Sequence, residues 1–368
     1  LLADKNKISI NSGEVIMKLS AIAIFVLAMG ISVAANAAGE IIIKFSHVVA
    51  PDTPKGQAAE RFKLVAEKLT KGKVKVEIYP NSQLYKDREE IEALQSGAVQ
   101  MLAPSLSKFG PMGAPEFQLF DLPYLFPNQE VLHRVMDGDA GKKLFAKLDT
   151  KGVTGLTFWD NGFKQMSSNK PMHAVADLNG LKMRIQSSKV LSAEMKALGA
   201  NPQVMAFSEV YTALQQGVVD GTENPVSNFY TQKMNEVQKH MTMSNHGYLG
   251  YAVIVNKNFW DGLPVDVRTS LNQAMKEATT FEREVAQKDN DDALAKVVAS
   301  KTTVVYTLTQ AERAEWQKVL LPIQKDFESI IGADLIQIAN ATSAQVAKEQ
   351  AAAEKPTAKP AVKAPVKK

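Results

Sequence analysis

"GEIIIKFSHVVAPDTPKGQAAERFKLVAEKLTKGKVKVEIYP", residues 39–80, reads as strand, helix, strand. It opens on an apolar run that ends at Ser46–His47, the pattern of a buried strand. Thr53 stands where a helix wants its N-cap, and Pro54 suits the first helical position. Phe62, Val65, Ala66 and Leu69 then recur at helical spacing, and "KVKVEIYP" alternates as a second strand. A helix in "DREEIEALQSGAV" ends at Gly97, and "VQMLAPSLS" reads as a third strand. The order β-α-β-α-β predicts a mostly parallel sheet with helices on its faces. Ligands of such sheets bind beyond the carboxyl ends of the strands. Those ends are Ser46–His47 and Ser105–Ser107.

The theme returns downstream. "VTGLTFW", "FKQMSSN" and "LNGLKMRIQSS" read as strands, and "KVLSAEMKALGA" and "SEVYTALQQGVV" as helices. In "LKMRIQ" the apolar Leu181, Met183 and Ile185 alternate with Lys182, Arg184 and Gln186, a period of two. "HMTMSNHGYLGYAVIVNK" is strand-like and long enough to carry the chain back to the first sheet. From Val265 to Ser300 there is no Gly or Pro, so one helix of about 50 Å fits, as do two helices meeting near "KDNDD". A strand in "TTVVYTL" and a helix from Thr309 complete the body.

The chain has 368 residues, 45% hydrophobic and 22% charged, which is ordinary globular composition with length for about two domains. Its formal net charge is only +4, and part of that lies in the last residues, so nucleic acid is not an expected partner. With no cysteine, disulfides, thiolate metal sites and cysteine nucleophiles are excluded. "MKLSAIAIFVLAMGISVAANAAGE", from Met17, has a positive start, an apolar run and an A-x-A site ending at Ala37. That is a secretory signal peptide, with cleavage expected near Ala37–Ala38; an uncleaved anchor is the alternative. Residues 1–16 read as an upstream extension of the gene start. At the other end "AAAEKPTAKPAVKAPVKK", residues 351–368, is low-complexity sequence expected to be disordered, as a solubilising or an interacting tail.

No stretch fits the glycine-rich nucleotide motifs, H-E-x-x-H or G-x-S-x-G, and no two of the five histidines stand four apart. No catalytic residue, metal or cofactor is therefore expected. What remains is a set of cations and polar groups at element ends: His47, Lys55, Lys164, Arg184, Asn224, Ser105 and Ser107. Arginine offers a planar fork for a carboxylate, lysine a compact charge, asparagine an amide donor. Singly, each has an ordinary structural reading; together they suit a small anion.

Taken in order, "FSHVVAPDTPKG", "YPNSQLYKDREEIEALQSGAVQM", "LAPSLSKFGP", "FWDNGFKQMSSNKP", "LNGLKMRIQSS", "MAFSEVYTALQQGVVDGTENP" and "VNKNFWDGLP" resemble the periplasmic solute-binding proteins of TRAP transporters, in the four-carbon dicarboxylate branch. The resemblance covers roughly residues 40–335. It implies a two-domain α/β periplasmic-binding-protein fold (type II-like), with a cleft between the domains and a long helix spanning both. Domain I would take residues 38–161 and 250–289, domain II residues 162–249 and 290–335, leaving 336–368 as a helix end and the disordered tail. It further implies that Arg184 grips a ligand carboxylate, supported by Asn224 and Lys164, and that Phe207 lines the cleft beneath. His47 and Lys55 would serve the far carboxylate, with Ser105, Ser107 and Ser187 lining the pocket. Lys164 stands where many relatives have arginine, so one grip is less planar.

The implied function is a periplasmic receptor that passes a succinate-, malate- or fumarate-type dicarboxylate to a TRAP membrane permease. A membrane sensor kinase is a further partner that the sequence leaves open. Alternative ligands on the same fold are a 2-oxo acid, a sugar acid or an aromatic carboxylate. The alternative from another class is a secreted enzyme using Lys164 as base or Schiff-base lysine.

Overall fold

The computed structural model describes residues 39–353. The leader reading and the tail reading beyond Ala353 lie outside the described residues. The strands in chain order are β1 (Ile41–Ser46), β2 (Val74–Tyr79), β3 (Met101–Leu102), β4 (Val153–Phe163), β5 (Gln165–Ser168), β6 (Lys182–Ile185), β7 (Asn201–Val204), β8 (Gly221–Asn224), β9 (His240–Met243), β10 (Tyr248–Asn256) and β11 (Val304–Thr307). They form a five-stranded sheet, β2-β1-β3-β10-β4, and a six-stranded sheet, β11-β9-β5-β8-β6-β7.

The opening segment folds as its sequence reads. Thr53 caps the helix Pro54–Leu69, its side chain accepting from Gly56 N–H at 3.2 Å. Gly56 is required there, since a Cβ would lie 2.4 Å from Pro51 O. Phe62, Val65 and Ala66 are buried, whereas Leu69 in the last turn is 39% exposed. Phe45 of β1 meets Phe62 edge-on at 6.1 Å and stacks on Trp159 of β4 at 6.0 Å, so strand, helix and strand share one core.

Each sheet is mostly parallel, as expected, with one strand reversed. β1 and β3 are parallel, but β10 runs against both β3 and β4. β5 likewise runs against β8 and β9, while β6–β7, β6–β8 and β9–β11 are parallel. The two odd strands are the ones that arrive straight from the other sheet. β4 passes into β5 through Lys164, and β9 into β10 through Ser244–Gly247. Without a crossover helix to reverse its course, each enters its new sheet in the opposite sense. The two passages are tied together by Lys164 N–H donating to Gly247 O at 2.9 Å.

Residues Val265–Ser300 form one helix, 36 residues long, not two. At 1.5 Å per residue it spans about 54 Å. Its Glu282 accepts from Asp160 N–H at 2.9 Å on the β4 side. Its Asn290 donates to Asn161 O at 2.6 Å near the end of β4, and accepts at 3.0 Å from the N–H of Ser227, which follows β8 of the second sheet. The last helix runs Ala333–Ala353 and so takes in Ala351–Ala353, which the tail reading counted as disordered. Alanine is the best helix former, and no proline intervenes before Pro356.

Candidate ligand-binding site

β6 lies inside its sheet, between β7 and β8. Lys182 at its start is exposed, but Met183, Arg184 and Ile185 are all buried, Arg184 to 2%. The polar side of this strand therefore faces protein, not solvent. Arg184 donates from Nε and Nη2 to Met205 O, at 3.1 and 2.9 Å, and its guanidinium carbon lies 5.6 Å from the centre of the Phe207 ring. Among the described residues Nη1 has no hydrogen-bond partner. Burial pulls the Arg184 pKa down, against the fields of Asp87 and Glu223; an arginine remains charged regardless.

Asn224 ends β8 just before Pro225, which holds it extended. Its Nδ2 donates to Thr222 Oγ1 at 3.3 Å, and its buried Oδ1 has no partner among the described residues. Turning the amide over presents Nδ2 at that place instead. Phe207 follows β7 and packs with Val48 and Val49, the residues just after His47.

Lys164 is not a free cation. Its Nζ lies 2.9 Å from Glu223 Oε1, both side chains 1% exposed. Glu223 Oε2 lies 3.0 Å from His246 Nε2, and Ser244 Oγ stands 2.8 Å from His246 Nδ1. Burial, outweighing Glu223, lowers the His246 pKa, so the ring is neutral: Nε2–H donates to Glu223 and Nδ1 accepts from Ser244. Burial works against charge at both ends of the Lys164–Glu223 pair, but the pair wins. Lys164 is raised by Glu223, Asp121 and Glu194, and Glu223 is drawn down to about 2 by Lys164 and His246. Beside them Glu194, with neither carboxyl oxygen partnered among the described residues, is pushed well up by burial and by Glu223. Glu194, Glu223 and His246 bring one ligand atom each within 4.8 Å of one another. A metal ion does not suit them, because the Lys164 ammonium already occupies Glu223 and would repel it.

The first sheet supplies a second group. Lys55 is fully buried; its Nζ donates to Ala103 O at 2.9 Å and lies 3.8 Å over the Tyr251 ring. Burial and the Lys108 charge pull its pKa down to about 7, against Glu90 and Asp87. His47 is 1% exposed and neither ring nitrogen has a partner among the described residues. Burial and Lys55 hold its pKa at about 3. His47 is thus a neutral donor at ordinary pH, and Lys55 only part-charged, where the sequence reading had two cations.

The serines sit on the seam. Ser105 Oγ accepts from Gln186 Nε2 at 2.6 Å, and Ser105 forms an antiparallel β-bridge with Tyr251. Ser107 Oγ donates to Asp121 Oδ1 at 2.6 Å. Ser187 is half-buried and, with Asp87, Arg88 and Lys108, lines both a recess that includes Arg184 and a neighbouring cavity of about 470 Å³. The structure thus groups Arg184, Phe207 and Asn224 on the second sheet, His47 and Lys55 on the first, with Ser105–Gln186 between. Sequence reasoning passed over Tyr251, Gln186, Asp87 and Lys108. Gln186 alone had a signal, its place two residues after Arg184 on the same strand face.

Two α/β lobes with a polar seam between them, crossed by a long helix, define a periplasmic-binding-protein fold. The chain matches DctP, bacterial extracellular solute-binding protein family 7, over residues 45–330, and it belongs to that family. It is 62% identical over 319 residues to the C4-dicarboxylate-binding periplasmic protein DctP of Rhodobacter capsulatus, covering 87% of this chain and 96% of that one. A TRAP periplasmic solute-binding protein from Sulfurospirillum deleyianum, solved with bound succinate, superposes with a TM-score of 0.80 at 51% identity, covering 83% of this chain and 99% of that one. A Pseudomonas aeruginosa relative with bound L-malate gives 0.76 at 42% identity, covering 78% and 99%. Among the described residues no helix is long and apolar enough to cross a membrane.

Proposed function

We propose that this protein is a periplasmic receptor that captures a four-carbon dicarboxylate and delivers it to a TRAP membrane permease. It acts by binding, without catalysis. The lobes divide near residues 38–161 with 250–289, and 162–249 with 290–335. Arg184 grips one carboxylate, Asn224 supports it and Phe207 lies beneath; His47 and Lys55 take the other. Lys164, held on Glu223, stands behind them. Ser105, Ser107 and Ser187 line the seam. The observation that carries the reading is the pairing of a strand-held arginine with a second buried basic group that no carboxylate among the described residues touches. A ligand with one carboxylate satisfies only the first. The names of the R. capsulatus relative and of the succinate- and malate-bound structures support the same class.

Calorimetry tests it. Succinate or malate is expected to bind at least tenfold more tightly than acetate, pyruvate or a sugar acid. A sugar acid that binds while no four-carbon dicarboxylate does would overturn the ligand class. Ligand recovered altered after incubation would overturn the absence of catalysis.

Binding should also take up protons. Lys55 titrates near 7 because burial and, after it, Lys108 oppose its charge, while Glu90 and Asp87, both engaged by Lys108, offset this only in part; His47 beside it is neutral and Tyr251 covers it. A carboxylate brought to Nζ raises that pKa. Affinity therefore rises as pH falls toward about 7, by up to about tenfold per pH unit on the alkaline side, and levels off below it, where free Lys55 is already protonated. At pH 8, titrations in buffers of different ionisation enthalpy should report an uptake approaching one proton per ligand, abolished by Lys55→Met. Buffer-independent heats in the wild type would contradict it.

A further inference from the structure

Asp87 belongs to the loop between β2 and the helix Glu90–Gln95, on the side of the first sheet. Its Oδ2 accepts from the backbone N–H of Phe207, which follows β7 in the second sheet. The other carboxylate oxygen is ion-paired with Lys108 Nζ, and Lys108 is anchored in turn on Glu90 at 2.6 Å. Lys108 is 6% exposed and Glu90 1%. One residue earlier, Lys86 Nζ reaches Glu209 Oε1 at 3.0 Å, an exposed pair parallel to the first. Asp87 and Arg184 line the same recess, and the Asp87 charge acts on the guanidinium.

We propose that Asp87 is a positioning residue for ligand binding: held by Lys108, it latches the Phe207 backbone across the cleft and so fixes the ring and the Arg184 guanidinium against the bound acid. The inference rests on the reading of Arg184 and Phe207 as the carboxylate site. Three features single out Asp87. Its bond joins the two sheets, and it ends on the residue that faces Arg184. Its anchor is buried, so the carboxylate is held in place and not free to sample solvent. The bond is charge-assisted, which makes it roughly twice as strong as a neutral one; Lys108 and Arg184 hold the Asp87 pKa at about 2 against burial, so it stays ionised at any periplasmic pH. The Lys86–Glu209 pair, half-exposed at both ends, adds little.

Asp87→Ala and Asp87→Asn, with Lys86→Ala as a control, are compared with the wild type by stopped-flow succinate dissociation and by NMR-detected exchange of the Phe207 amide, with and without succinate. Electrostatics alone has the opposite sign: removing a negative charge beside Arg184 would tighten a dianion. The latch instead predicts dissociation about tenfold faster in Asp87→Ala with association within threefold. Phe207 exchange should be faster, and Lys86→Ala close to wild type. Dissociation unchanged or slower in a folded Asp87→Ala, with equal Phe207 exchange, overturns the proposal. If the alanine variant does not fold, Asp87→Asn decides. It keeps an oxygen for the Phe207 N–H but not the ion pair that aims it, and dissociation no faster than wild type would then be the overturning result. A wild type that does not bind succinate defeats the dicarboxylate reading, while the exchange comparison still judges the latch.

Discussion

Arg184→Ala should weaken succinate or malate binding by roughly 30-fold to several thousand-fold, since losing one partner of a buried charged hydrogen bond costs about 2–5 kcal/mol. The guanidinium is well placed to have so large an effect. It is 2% exposed, it stems from a strand flanked on both sides, and two of its nitrogens are fixed on Met205 O. A group ordered before the ligand arrives loses little entropy on binding. Arg184→Lys should fall between, keeping the charge and losing the planar fork. The alanine variant also strands Met205 O, so melting of the ligand-free protein must be measured alongside affinity. A folded Arg184→Ala that binds within threefold of wild type would sink the assigned grip.

What the sequence reveals about this site and what it conceals divide along a physical line. The period of two in "LKMRIQ" is local, and so are the Thr53 cap, Pro54 and the Gly- and Pro-free run from Val265; each element stands where these predict. The DctP family membership was likewise legible from motif order. Charge state was not, because it depends on burial. His47 and Lys55 look like two cations in a string of letters, yet burial and Lys55 leave His47 neutral, and burial and Lys108 leave Lys55 half-charged. Partner choice was hidden too. Lys164 and Glu223 are 59 residues apart and meet only because β5 and β8 are neighbours. Asp87 sits in "YKDREE", which reads as a solvated helix start and shows no trace of a bond to Phe207. The reversed strand in each sheet escaped for a related reason: direct passage of a strand between sheets leaves no mark on hydrophobic periodicity.

Lys164 gives the second large prediction, and it concerns stability. With Lys164→Met, Glu223 keeps only the neutral His246 as a hydrogen-bond donor among the described residues and remains 1% exposed. Removing one partner of a buried ion pair typically costs about 3–5 kcal/mol. For a chain of this size that is a fall in melting temperature on the order of 6–10 °C. Adding Glu223→Gln should recover much of the loss, since the uncompensated charge is gone, and the cycle of single and double variants measures the coupling. The sign with pH follows from Glu223, whose folded pKa of about 2 lies below its ordinary value. Its share of stability is present above about 4.3, the unfolded carboxyl pKa, and is lost as pH falls toward 2. The gap between wild type and Lys164→Met should therefore be widest near neutrality and narrow in acid. A variant that keeps its melting temperature but loses ligand would instead return Lys164 to the direct grip, free of Glu223, that the family resemblance implies.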